Sequence, residues 1–194
     1  MYQLPQTPTD VQQRLDRLKA SGKLLARPKS VIDKKLKDLN REANKGQIGA
    51  KGEIVFLERK IFVEYKSVEF IPSSQKARVT RPDFRVRAAK VEVIEIKTAV
   101  KTPKRWESWL KEKIKTANKQ IKYSQLRVGK PGALELQLFD DAATSFQQTT
   151  LNNFEQYIQR NFRVAQMKSL QRVAIYTNGQ LALEFIRAIV RSFP

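Results

Sequence analysis

Asp83, Glu95 and Lys97 offer two carboxylates and an amine within fifteen residues. They lie in two short stretches, Arg81-Pro82-Asp83-Phe84-Arg85-Val86-Arg87 and Val91-Glu92-Val93-Ile94-Glu95-Ile96-Lys97-Thr98. Both alternate in the manner of half-buried strands. In the second, Val91, Val93, Glu95 and Lys97 share one face, and Ile94 and Ile96 share the other, because side chains on a strand flip at each residue. The break at Ala88-Ala89-Lys90 suits a hairpin, which brings Asp83 alongside Glu95. Two acids side by side repel unless something joins them. A hard divalent cation does so, since it takes carboxylate oxygens.

These residues carry a family resemblance. Pro82-Asp83 followed by Glu95-Ile96-Lys97 resembles the signature of the PD-(D/E)XK nuclease superfamily, the restriction-endonuclease-like fold. The resemblance implies metal-dependent hydrolysis of phosphodiester bonds, with Asp83 and Glu95 as metal ligands. It assigns Lys97 to orienting or activating the attacking water and offsetting phosphate charge. It also implies an acid from the first helix of the core, for which Glu53 is the matching position, and a glutamine on the second, matched by Gln120. Magnesium is the expected ion, with manganese also suited, because both favour oxygen donors.

Glu53 has a reading of its own. A helix is expected over residues 46–59, opening with Gly46, Gly49 and Gly52. Each glycine in a helix costs about 1 kcal/mol relative to alanine. Three so close predict that the backbone approaches the sheet or a phosphate. Glu53 falls on a largely apolar side, where an acid is costly unless it is paired with a lysine or bound to a metal. The position of this helix directly before the sheet favours the site.

The rest of the chain frames these side chains. Residues 1–8 read as loose. Thr9 is expected to cap a helix bearing Val11, Leu15 and Leu18, which stops at Ser21-Gly22. Ser30 is expected to cap a second helix with Val31, Ile32, Leu36 and Leu39 as its stripe. Its basic face is either a solvated face or an arm gripping nucleic acid. A strand is expected over Ile61–Ile71, then a loop at residues 72–76, then the two stretches above. Thr102-Pro103 opens a long helix with Trp106, Leu110, Ile114, Ala117 and Ile121 at helical spacing, so that Trp106 packs on the sheet. A strand follows over Ala133–Phe139, a helix over residues 146–164 and a strand over Leu170–Thr177. After Asn178-Gly179 the chain continues either as a hairpin strand or as a buried helix.

The expected fold is therefore α/β (α+β). Residues 1–45 form a basic helical extension. Residues 46–194 form the nuclease domain, a helix–three strands–helix–strand mixed sheet flanked by helices.

Composition narrows the chemistry. The 194 residues hold 38 Lys and Arg against 19 Asp and Glu, a formal net charge of +19 that points to a polyanionic partner. Between Lys97 and Lys130, eleven basic residues face two acids, Glu107 and Glu112. Arg81, Arg85, Lys101, Lys104, Arg105 and Lys119 are the expected nucleic-acid contacts, with DNA favoured over RNA. Cysteine and histidine are absent. That excludes disulfides, thiol nucleophiles, Cys/His zinc sites and histidine acid–base catalysis. No signal peptide, lipidation motif or membrane segment is read, so the expectation is a cytoplasmic protein without a membrane partner. Double-strand cutting suggests a homodimer, and a toxin role would add an immunity protein. The rival readings are an RNA- or transfer-RNA-cleaving toxin nuclease of the same fold and a non-catalytic basic nucleic-acid-binding protein.

Overall fold

Pro8 fits the first turn of a helix, where its missing N–H leaves nothing unpaired. In a computed structural model of the protein, Thr7, not Thr9, caps α1 (Pro8–Ala20), its hydroxyl accepting from the Asp10 N–H at 3.1 Å. The structure describes residues 2–71, 83–87, 91–128, 132–148, 156 and 169–186. Val11, Leu15 and Leu18 are buried, and α1 ends at Ser21 and Gly22, the latter at φ +68°. A two-residue strand, β1 (Leu24–Leu25), separates it from α2 (Ser30–Asn44). Gly46 at φ +80° turns the chain into α3 (Ile48–Glu58).

The strand expected over 61–71 begins only at Ser67. Arg59–Val63 instead prolong α3 as a π-helical turn, in which the Glu64 N–H donates to the Arg59 carbonyl at 3.0 Å. Tyr65, at φ +52°, closes it. The reason is ionic. Helical spacing sets Lys60 four residues from Glu64, and the two pair at 2.9 Å. Arg59 and Lys60 also reach Glu135 in the sheet. An extended chain would send successive side chains to opposite faces and lose this.

The strands β2 (Ser67–Phe70), β3 (Phe84–Arg87), β4 (Glu92–Ala99), β5 (Gly132–Leu138), β6 (Leu170–Thr177) and β7 (Gln180–Ile186) join β1 in one seven-stranded sheet, ordered β1 to β7 along the sequence. β2, β3 and β4 form an antiparallel meander. β4, β5 and β6 are parallel, joined through α4 (Trp106–Val128) and α5 (Asp140–Gln148). β6 and β7 form an antiparallel hairpin across Asn178-Gly179, which resolves the choice at that turn. Leu151, Phe154, Ile158 and Phe162 of the expected later helix, and the loop at residues 72–76, lie outside the described residues.

The protein is thus mixed α/β, a mixed sheet flanked by helices. One core joins α1, α2 and α3 to Phe84, Val86, Ile94 and Ile96. The other joins Leu110, Ile114, Ala117 and Ile121 of α4, with α5, to Val93, Leu134, Leu136 and Leu138. The N-terminal segment is not loose. The Tyr2 N–H donates to the Asn178 carbonyl at 3.2 Å, and Leu4 is buried against Val55 and Phe139.

Candidate functional site

β4 outruns β3. The register Phe84↔Ile94 is the last pair of that ladder, whereas β4 pairs with β5 as far as Ala99. One step beyond Phe84, Asp83 stands level with Glu95. The Ile96 N–H, which a longer β3 would have taken, donates instead to the Asp83 carboxylate at 2.9 Å. A side chain thus ends the ladder and is fixed by doing so.

Glu95 is fully buried, on the face of β4 that meets α4. Lys97, two residues on and on the same face, donates to one oxygen of Glu95. Gln120, buried on α4, bears on Glu95 from the helix layer. Glu95 Oε2 and Gln120 Oε1 are buried and have no hydrogen-bond partner. An unmet carboxylate oxygen in the interior is costly.

α3 brings in the third acid. Gly52 lies so close to β4 that an added Cβ would fall 1.9 Å from Thr98 Oγ1. Of the three clustered glycines, this one serves the close approach to the sheet, and Gly46 serves a turn at positive φ. Glu53, the next residue, is half-buried beside the strand end.

The electrostatics follow from crowding. Burial pushes the Glu53 carboxyl up to about 8, and the charges of Asp83 and Glu95 add to this. Burial likewise raises Glu95 to about 8, helped by Asp83 and opposed by Lys97 and Gln120. Asp83 is also raised by burial, against the Ile96 N–H and Lys97. Burial disfavours the Lys97 ammonium, but Glu95, Asp83 and Glu53 outweigh it and keep its pKa raised. Burial thus favours the protonated form of each of the three acids, and a bound cation would oppose that shift.

Among the described residues, no group of three or more acids is spaced as a ready cage for a metal ion. Magnesium does not demand one, because it keeps several waters and is commonly held by one or two carboxylates. The unmet oxygen of Glu95, level with Asp83, fits such an ion, and the all-oxygen donor set excludes soft metals.

The expected nucleic-acid contacts divide. Lys101, Lys104 and Arg105, on the loop leaving β4, and Lys119 on α4 are exposed. Arg85 is half-buried and paired with Glu69 at 3.1 Å, a carboxylate that also takes Arg87 at 2.8 Å. Arg81 lies outside the described residues. Trp106 packs edge-on to Trp109 of its own helix and to Phe146 of α5, its indole N–H donating to Ser145 Oγ at 3.3 Å.

Two features were missed in the sequence. Lys35 on α2 bears electrostatically on both Glu53 and Asp83. Its signal is weak, one lysine flanking an apolar stripe. The other is a buried ionic cluster. Glu135 on β5 is fully buried and receives Arg59, Lys60 at 2.9 Å and Arg172 at 2.7 Å. Its signal is an acid between Leu134 and Leu136 on a strand covered on both faces.

Comparison with protein-family models, with curated proteins and with solved structures gave no match.

Proposed function

We propose that the chain is a metal-dependent endonuclease that hydrolyses phosphodiester bonds, with DNA as the favoured substrate. The observation that carries this reading is the meeting of Asp83, Glu95 and Lys97 at the end of β4, with one carboxylate oxygen buried and unmet. It is the chemistry that the resemblance to the PD-(D/E)XK superfamily implies. The element order α3–β2–β3–β4–α4–β5, a helix, three strands, a helix and a strand, supports it further.

Asp83 and Glu95 would hold the metal, with Glu53 as a further oxygen donor. When bound, magnesium or manganese supplies positive charge against the crowded phosphate and lowers the pKa of a water. The chain's own groups do the rest. The Ile96 N–H keeps the Asp83 carboxylate from turning away. Lys97 keeps its proton, because the surrounding acids favour the ammonium, and so donates to a phosphate oxygen or orients the water. Gln120, pressed on Glu95, sets the orientation of that carboxylate. Lys101, Lys104, Arg105 and Lys119 offer charge to backbone phosphates beside the scissile one, where contacts are sequence-independent.

The test is cleavage of supercoiled plasmid and of transfer RNA with magnesium, with chelator, and after Asp83→Ala or Lys97→Ala. Cutting of plasmid that chelator and either substitution abolish is the expected result. Retained cutting in both variants refutes the site. Preference for transfer RNA moves the reading to an RNA-cleaving toxin. A second reading, a non-catalytic nucleic-acid-binding protein, is favoured by the exposed lysines alone, which need no metal. It predicts salt-sensitive binding that ignores magnesium and survives Asp83→Ala.

A further inference from the structure

One tyrosine is held out where the backbone prefers glycine. Tyr65 closes the π-helical turn at φ +52°, in the left-handed region that a bulky residue rarely adopts. Two hydrogen bonds fix the chain on either side of it. The Glu64 N–H donates to the Arg59 carbonyl at 3.0 Å, and the Lys66 N–H donates to the Lys60 carbonyl at 2.8 Å. The ring gains little burial in return, since Tyr65 is 77% exposed. Val63, on the same turn, is 54% exposed. A strained backbone that leaves an aromatic ring in water breaks two local rules at once, and such places are commonly functional. Glycine would serve the turn alone. What tyrosine adds is the ring.

Cations attend this turn. The Lys23 ammonium stands 5.1 Å from the centre of the Tyr65 ring and donates to the Ile61 carbonyl at 3.4 Å. The Arg17 guanidinium of α1 stands 5.3 Å from the centre of the Phe62 ring, three residues before Tyr65. Among the described residues, no carboxylate pairs with Arg17 or Lys23. The acid of the turn, Glu64, is met by Arg59 at 2.5 Å, Lys60 at 2.9 Å and Lys66 at 2.7 Å, so its charge is outweighed. A ring has two faces, and an ammonium over one leaves the other for a flat partner. Aromatic faces beside unspent cations suit a polymer with flat bases and anionic linkers. A duplex hides its base faces, whereas an unpaired strand presents them. The patch is separate from the acids. Tyr65 and Asp83 lie beyond opposite ends of the β2–β3 ladder, which runs from Ser67↔Arg87 to Phe70↔Phe84. That ladder alone spans about 10 Å at the rise of a strand.

We propose that Tyr65, with Lys23 and Arg17, forms a binding site for an unpaired strand of nucleic acid. A base stacks on the open face of the Tyr65 ring, and the two cations meet the phosphates on either side of it. The site goes beyond the nuclease reading and does not depend on it, because it needs neither a metal nor the acids of β3 and β4.

The experiment uses the full chain in chelator, a fluorescent oligothymidylate and an abasic strand of the same length, which keeps the phosphates and lacks the bases. The wild type is expected to bind the oligothymidylate roughly tenfold more tightly than the abasic strand, as for one stacked base. Tyr65→Gly is expected to lose that preference and Tyr65→Trp to keep it. Glycine suits a φ of +52°, so Tyr65→Gly should retain the fold, which thermal melting checks. Tyr65→Asn, which also tolerates that conformation, takes its place if it does not. Lys23→Gln should lower the slope of log binding constant against log salt by about 0.7, the loss of one phosphate contact on a single strand. Equal affinity of the wild type for the two strands, or an unchanged preference in Tyr65→Gly, overturns the inference. So does binding to anionic phospholipid vesicles that Tyr65→Gly weakens while strand binding persists, which would make the patch a membrane contact. The measurement needs no cutting. A wild type that cleaves nothing removes the nuclease reading, and strand binding still decides for or against Tyr65.

Discussion

The Asp83 carboxylate caps the Ile96 N–H at 2.9 Å, so the residue that would ligate a cation also terminates the β3–β4 ladder. Position and chemistry are coupled in one side chain. A substitution must separate them to be informative. Asp83→Asn keeps an acceptor for Ile96 and removes the charge. Its melting temperature should stay close to that of the wild type, while magnesium-dependent cutting drops more than roughly 100-fold, equivalent to about 3 kcal/mol of transition-state stabilisation. Asp83→Ala should lose both. Parallel melting curves and initial rates check this, and an active Asp83→Asn removes Asp83 from the chemistry.

Glu53 and Glu95, each raised to about 8, make the metal-free protein sensitive to alkali. A carboxyl whose folded pKa is raised favours the fold while protonated. Its contribution is complete below the ordinary value of 4.5 and is lost as pH rises through about 8. In chelator, the melting temperature should therefore fall between pH 5 and pH 9. Glu95→Gln should flatten much of that fall. Magnesium should raise the melting temperature more at pH 9 than at pH 6, because the ion displaces protons. A flat profile for the chelated wild type contradicts the crowding of these acids.

Much of this site was legible because strands obey a period of two. Once residues 91–98 alternate, Glu95 and Lys97 must share a face, and a short break after Arg87 must fold Asp83 back toward Glu95. Gly52 was legible as a close approach, although not its partner Thr98. What stayed hidden depends on contacts distant in sequence. Residues 61–66 alternate like a strand, and the pairing of Arg59 and Lys60 with the distant Glu135 joins the local Lys60–Glu64 pair in making a helical turn the better solution. β1 is two residues long and exists because β2 lies beside it. Leu4 is buried because Val55 and Phe139 leave a place for it. Lys35 could not be told from Lys34 and Lys37 without the packing of α2 on α1 and α3, which leaves it half-buried.

Gly52→Ala should damage both fold and site. The new Cβ would meet Thr98 Oγ1 at 1.9 Å and Cβ at 2.8 Å, so α3 must move away from β4. Overpacking of this kind typically costs about 1–3 kcal/mol. Glu53, one residue on, would move with the helix, and cutting should fall beyond what the lost stability explains. Thr98→Ala in the same chain removes the nearest atom and leaves Cβ, so it should restore part of both. A denaturant series on the two single variants and the pair gives the coupling energy. Additive effects would mean that the two residues do not press on each other.

Glu135 is the test of what holds the sheet to α3. Its carboxylate is fully buried and meets Arg59, Lys60 and Arg172, which hold its pKa far below the ordinary value of 4.5 although burial alone would raise it. Arg172 continues the chain of charge to Glu92 at 2.7 Å and Glu184 at 3.2 Å. Glu135→Gln leaves the buried Arg59 and Lys60 and the half-buried Arg172 short of one anion. Breaking a buried pair from one side costs about 3–5 kcal/mol, because the remaining charge stays uncompensated. The fold should be weakened by that order in a denaturant melt, with the slope on denaturant unchanged. The pH dependence follows from the depressed pKa: the stabilisation by Glu135 is present above the unfolded value of 4.5 and is lost as pH falls toward the folded one. Wild type should therefore lose stability on acidification below that value more steeply than Glu135→Gln, whereas the alkaline loss from Glu53 and Glu95 should persist in both. If Glu135→Gln matches the wild type in acid, the three cations draw their compensation from Glu64 and Glu92, the carboxylates that also reach Arg59, Lys60 and Arg172.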